Sequence, residues 1–120
     1  MLDPQRFAER YVALWNEPDP GARCLAIAEV FAERARYCNA LHRYDGLDEI
    51  TDAIQASHER WIGQGYVFRA RDGAATHHDA LRLRWDMLPA AGGEVASIGT
   101  DLIVLDEDGR IARDYQFIEN

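Results

Sequence analysis

Leu81-Arg82-Leu83-Arg84-Trp85-Asp86-Met87 is the stretch on which the fold turns. Apolar residues hold its odd positions and charged residues its even ones. That period-2 alternation marks a strand with two unlike faces. Working outward, the pattern predicts strands over residues 66–71, 75–88, 94–105 and 110–119. Asp72-Gly73, Pro89-Ala90-Ala91-Gly92-Gly93 and Asp106-Glu107-Asp108-Gly109 supply the turns between them. Upstream the period changes. Phe7, Tyr11, Leu14 and Trp15 recur at helical spacing behind Asp3, an N-cap residue, and Pro4, whose missing N–H costs nothing at the first helical position. Pro18 and Pro20 stop this helix near Asn16. A second helix is predicted over 21–31, with Leu25, Ala28 and Val30 inward, then a short strand over 35–40. A third helix over 47–61 carries the stripe Leu47, Ile50, Ile54 and Trp61 and ends at Gly63 and Gly65. Strands clustered after helices imply an α+β fold with helices packed on one face of an antiparallel sheet.

The totals narrow the function classes. A chain of 120 residues is read as one domain, 1–120. A formal net charge of −8 argues against nucleic acid and anionic membrane surfaces as partners, because phosphate binding needs clustered cations. No run approaches the roughly 18 apolar residues of a membrane helix, and the N-terminus lacks the basic-then-apolar pattern of a signal peptide. Cys24 and Cys38 show no metal or redox spacing, so a cytoplasmic protein with reduced thiols is expected. His77-His78 lacks the third ligand that a catalytic zinc requires, and adjacent strand residues point to opposite faces, so neither a metal nor a cofactor is expected.

Strand pairing sorts the charges. If the 89–93 turn pairs Leu88 with Gly93, Arg84 opposes Ser97 and Ala80 opposes Asp101. If the next turn pairs Leu105 with Arg110, Asp101 opposes Asp114. His78, Arg82, Arg84, Asp86, Asp101, Asp114 and Gln116 then share one face, and Leu81, Leu83, Trp85, Met87, Ile98, Leu102, Val104, Tyr115 and Phe117 the other. A slip of one residue in either hairpin undoes this grouping. Two readings remain open. In one, the apolar face meets the helices and the charged face is wet. In the other, the helices close over the charged face as a pocket, lined from the helices by Tyr11, Trp15, Ile54, His58 and Trp61, and the apolar face pairs with a second subunit.

The element order resembles that of the SnoaL-like, nuclear-transport-factor-2-like superfamily. So do Arg10-Tyr11-Val12-Ala13-Leu14-Trp15-Asn16, Phe31-Ala32-Glu33-Arg34-Ala35-Arg36-Tyr37, Tyr44-Asp45-Gly46-Leu47-Asp48-Glu49-Ile50, and the hairpin from Gly99-Thr100-Asp101-Leu102 to Asp108-Gly109-Arg110-Ile111. The resemblance implies a cone, in which a curved sheet wraps a pocket closed by helices, and a homodimer through the outer sheet face. Two enzyme patterns within the superfamily bear on the site. Tyr11 and Asp101 resemble the oxyanion hole of ketosteroid isomerase. The position similar to its general base holds Asn39, however, and an amide cannot abstract a carbon-bound proton at neutral pH. Tyr37, Asn39, Arg84, Asp86 and Asp114 resemble the constellation of limonene-epoxide hydrolase. That likeness implies Asp114 as base, Asn39 and Tyr37 as its helpers on the water, Asp86 as acid and Arg84 as the bridge between the carboxylates. The expectation is therefore a pocket enzyme acting on a small apolar or cyclic molecule, with epoxide hydrolysis as its chemistry. The alternatives are a cyclase, isomerase or dehydratase using Asp101 or His78, and a non-catalytic ligand-binding dimer.

Overall fold

The computed structural model describes residues 2–119; Met1 and Asn120 lie outside the described residues. Helix α1 (Pro4–Asn16) starts where the sequence places it: the Asp3 carboxylate accepts hydrogen bonds from the backbone N–H groups of Gln5 (3.0 Å) and Arg6 (3.2 Å). Helix α2 (Pro20–Val30) is capped by Asp19, which accepts from the Ala22 N–H at 2.8 Å. Its inward face differs from expectation. Leu25 is 71% exposed and Ala28 is exposed, whereas Arg23, Ile27 and Val30 are buried. The Arg23 guanidinium settles there by donating to Gln55 Oε1 (2.6 Å) and the Glu17 carbonyl (3.4 Å). Helix α3 (Gly46–Arg60) buries Ile50 and Ile54 completely, with Leu47 and Trp61 packed against the same core.

The sheet is mixed, seven-stranded and curved, in the order β2-β1-β7-β6-β5-β3 with β4 attached to β5. Its strands are β1 (Phe31–Cys38), β2 (Arg43–Asp45), β3 (Tyr66–Ala70), β4 (Ala75–His77), β5 (Ala80–Pro89), β6 (Ser97–Leu105) and β7 (Ile111–Ile118). Three features depart from the sequence reading. Strand β1 begins four residues early and runs parallel to β7, so the sheet is not wholly antiparallel. A short β2 follows β1 as its hairpin partner. The long strand expected over 75–88 is broken at His78, whose φ of 52° turns β4 back onto β5.

Register matters most for the site. Asp101 lies opposite Leu83, not Ala80, and Thr100 opposite Arg84. The reason is the 89–93 connection, which is wider than a tight turn: the ladder resumes only at Ser97 opposite Met87, leaving residues 94–96 outside β6. An odd displacement turns the whole partner strand over. Asp101 and Ile103 therefore share the inner face with Leu81, Leu83, Trp85 and Met87. The β6–β7 register shifts by an even number, with Asp101 opposite Gln116 and Ile103 opposite Asp114, so Asp114 stays with Asp101. The apolar face of β5 is core against the helices. The surface left outward carries Leu102 and Phe117, 44% and 55% exposed. Among the described residues no helix is long and apolar enough to cross a membrane.

Candidate functional site

Between the inner sheet face and the helices lies a cavity of about 750 Å³, within the range of small-molecule sites. Helix α1 contributes Tyr11 and Trp15 to its wall, α3 contributes Ser57 and Arg60, and the sheet contributes Tyr37, Phe68, Trp85 and Gln116. The aromatic wall combines edge-on and stacked rings: Trp15 meets Tyr37 edge-on with centroids 5.6 Å apart, Phe68 meets Trp85 edge-on at 5.4 Å, and Tyr37 stacks on Tyr44.

Beneath this wall two carboxyls, Asp101 and Asp114, are fully buried. The Tyr11 hydroxyl lies 3.0 Å from Asp101 Oδ2 and 2.5 Å from Asp114 Oδ2. Asp101 Oδ1 accepts from the Trp85 indole N–H at 2.9 Å and, at 3.5 Å, from the Gln116 amide, whose own Oε1 accepts from the Tyr37 hydroxyl at 2.9 Å. One phenolic proton cannot serve two ionised carboxylates, so the cluster needs a carboxyl proton to satisfy both contacts. Electrostatics assign it to Asp114. Burial, then the neighbouring Asp101 charge, pushes the Asp114 carboxyl well above the usual carboxylate range. Burial also raises Asp101, but the donors around it hold it closer to ionisation. Burial and the same two carboxyls keep Tyr11 protonated far above the ordinary phenol value.

Trp85 owes its place to Gly99, its direct cross-strand partner. A Cβ on Gly99 would sit 2.1 Å from the indole Cζ2, so the ring lies flat over a backbone that only glycine leaves bare.

The expected site residues divide into three groups. Tyr11, Trp15, Tyr37, Asn39 and Trp61 line the cavity, with Asp101 and Asp114 directly below its floor. Ile54 is core, His58 does not reach the wall, and His78 is exposed on the β4–β5 turn, so these three are removed from the pocket. Arg84 and Asp86 lie on the outer sheet face. Arg84 pairs with Glu119 at 3.0 Å, and Asp86 with Arg71 (2.5 Å) and Arg69 (3.0 Å). Arg84 therefore bridges no carboxylate pair at the cavity: even positions of β5 point away from it. Burial works to raise the Asp86 carboxyl, but hydrogen bonds from Arg71 and Arg69 outweigh it and hold the group below the usual carboxylate range. Residues that the sequence reading left out of the site are Tyr44, Tyr66, Phe68, Met87, Gln116 and Arg60. The alternation of Tyr66 and Phe68 with Val67 and Arg69 was a usable signal for two of them.

A protein-family model of the SnoaL-like domain matches residues 8–114. The chain belongs to the SnoaL-like domain family. Among solved structures, a SnoaL-like family protein of Agrobacterium tumefaciens, a candidate isomerase, is 27% identical with a TM-score of 0.89, over 98% of this chain and 97% of that one. A candidate polyketide cyclase of Sinorhizobium meliloti is 20% identical with a TM-score of 0.70, over 95% of this chain and 94% of that one. A Silicibacter pomeroyi protein with a cystatin-like fold is 21% identical with a TM-score of 0.68, over 97% of this chain and 75% of that one. The last two likenesses show the fold alone. No curated protein matches the chain. The SnoaL-like assignment agrees with the cone expected from the sequence, its helices closing the inner face of the sheet over the cavity.

Proposed function

We propose that this SnoaL-like protein is a pocket enzyme for a small, largely apolar molecule, catalysing a proton-transfer isomerisation or ring closure. The observation that carries this reading is the Tyr11 hydroxyl held between two buried carboxyls under the cavity floor. In such reactions a carbonyl oxygen gains negative charge as a neighbouring C–H bond breaks. A neutral acid in a dry site stabilises that charge far better than water does. Asp114 holds the proton, Tyr11 passes one to the ligand oxygen as it takes another from Asp114, and Asp114 is left ionised. The Asp101 carboxylate, buried and held by Trp85 and Gln116, orients the Tyr11 hydroxyl in this relay, and the carbon-bound proton leaves to solvent water in the cavity.

Epoxide hydrolysis is the second reading, favoured by Tyr37 lying directly across the β1–β7 pair from Asp114 and by Asn39 in the cavity wall. With Asp86 on the outer face, its second carboxyl would have to be Asp101. For either chemistry we propose a homodimer through the outer sheet face around Leu102 and Phe117.

The test is deuterium uptake from D₂O at the acidic C–H positions of a panel of cyclic ketones, run beside turnover of a panel of cyclic epoxides. Wild type should accelerate exchange, and Asp101→Asn and Tyr11→Phe should each lose about 10²-fold or more of that acceleration. Epoxide opening without ketone exchange would move the assignment to hydrolysis. Activity on neither panel would remove the catalytic reading.

A further inference from the structure

The charge of the cavity wall is at odds with that of the chain. The protein carries 21 acidic residues against 13 basic ones, yet among the described residues no aspartate or glutamate lines the cavity. The wall contains one permanently charged side chain, Arg60, and one histidine, His42. Both are exposed residues that also line the cavity, which places them at its rim. The Arg60 guanidinium lies 4.9 Å from the Trp61 ring centroid and makes no ion pair among the described residues. The Trp61 ring gives the cation an apolar support and leaves guanidinium N–H donors for another partner. Exposed arginines without a carboxylate partner among the described residues occur elsewhere too, such as Arg6, Arg34 and Arg113, but none of these lines the cavity; Arg60 is set apart by its place on the cavity rim. Deeper in, the Trp15 indole N–H is buried without a hydrogen-bond partner, a spare donor in the same wall.

From this arrangement we infer that the ligand is an anion: an aromatic or alicyclic carboxylate whose ring system fills the aromatic cavity and whose charged group is held at the rim by Arg60. The inference rests on the pocket reading above and names the class of molecule that the pocket takes. An acidic protein repels such a ligand at long range. A wall free of carboxylates, with an arginine at its edge, offsets that repulsion at the rim, while the Asp101 charge lies buried below the floor. The planar guanidinium matches a carboxylate with two parallel hydrogen bonds, which an ester or amide of the same skeleton cannot accept as an anion does.

The experiment compares 2-naphthoate with methyl 2-naphthoate by calorimetric titration against wild type, Arg60→Met and Arg60→Lys. Wild type should bind the acid about five- to tenfold more tightly than the ester, and the preference should shrink as salt rises from 20 to 500 mM. Arg60→Met should abolish the preference by weakening the acid far more than the ester, and Arg60→Lys should restore part of it. Equal or tighter ester binding by wild type overturns the anion assignment and leaves the pocket reading standing. A preference that survives in Arg60→Met overturns the role of Arg60. Failure of both compounds to bind overturns the inference together with the pocket reading beneath it.

Discussion

Asp114→Asn should make the protein less sensitive to rising pH, by an amount the buried cluster fixes. In the folded chain burial and the Asp101 charge oppose ionisation of Asp114 and hold its proton to well above the usual carboxylate range. In the unfolded chain the same carboxyl releases its proton above about pH 4. A raised folded-state pKa means that the native state binds more protons than the unfolded state between the two values. Stability contributed by that proton is therefore complete below the unfolded pKa and is lost as pH rises toward the folded one. The slope is about 1.4 kcal/mol per pH unit for one proton. Asparagine has nearly the shape of the protonated acid, and its amide N–H₂ takes the place of the carboxyl proton toward Asp101, but it does not titrate. The difference in unfolding free energy between variant and wild type should then swing toward the variant as pH rises above about 5 toward the raised folded-state pKa, at up to about 1.4 kcal/mol per pH unit. Urea unfolding followed by tryptophan fluorescence measures this directly; titrating groups distant from the cluster cancel in the difference to first order, while Asp101, coupled to Asp114, does not. Parallel profiles for the two proteins would refute the protonated Asp114. A swing in the opposite direction would show that Asp114 is ionised and stabilised by its neighbours.

Three further outcomes follow from the geometry. Gly99→Ala should push Trp85 off β6, costing about 1–3 kcal/mol and shifting tryptophan emission, because the new Cβ has no space beside the indole; an unchanged spectrum and stability would contradict that packing. Asp86→Ala strips Arg69 and Arg71 of their shared partner and should cost about 1–3 kcal/mol in unfolding experiments at pH 7. Its effect should fade as pH falls through the depressed Asp86 pKa, where the wild-type pair is itself lost. Arg84→Ala breaks only an exposed pair with Glu119 and should cost under about 1 kcal/mol. Arg84→Ala should also leave ligand affinity untouched, and a large loss in titration would return Arg84 to the site.

Much of the fold could be read from local signals. The Asp3-Pro4 start of α1, the proline stop after Asn16 and the alternation through Leu81–Met87 each act within a few residues. What escaped was anything decided between strands. The partner of Asp101 depends on how many residues the 89–93 connection leaves unpaired, and no local pattern states that number. The error moved Asp101 and Asp114 relative to Arg84 and Asp86, so a site imagined as one charged floor is two clusters on opposite faces. Tyr11 was read from its helical stripe and Tyr37 from resemblance, and both line the cavity. Arg60 escaped because a terminal helix arginine is ordinary in sequence, and its significance lies in the absence of acids around the cavity. His78 was misplaced for want of its positive φ, which turns the strand and leaves the side chain in solvent.

The last strand of the chain, β7, sits in the middle of the sheet, between β1 and β6. During synthesis β1 through β6 can exist only with a gap at the centre and two unpaired edges facing it. The proton-holding residue Asp114 arrives on the strand that fills the gap, 103 positions after the Tyr11 hydroxyl it meets. Loop closure over that distance comes late, so relay and sheet are completed in the same event. A chain stalled before residue 110 would have no partial activity to select for, only two open strand edges prone to association.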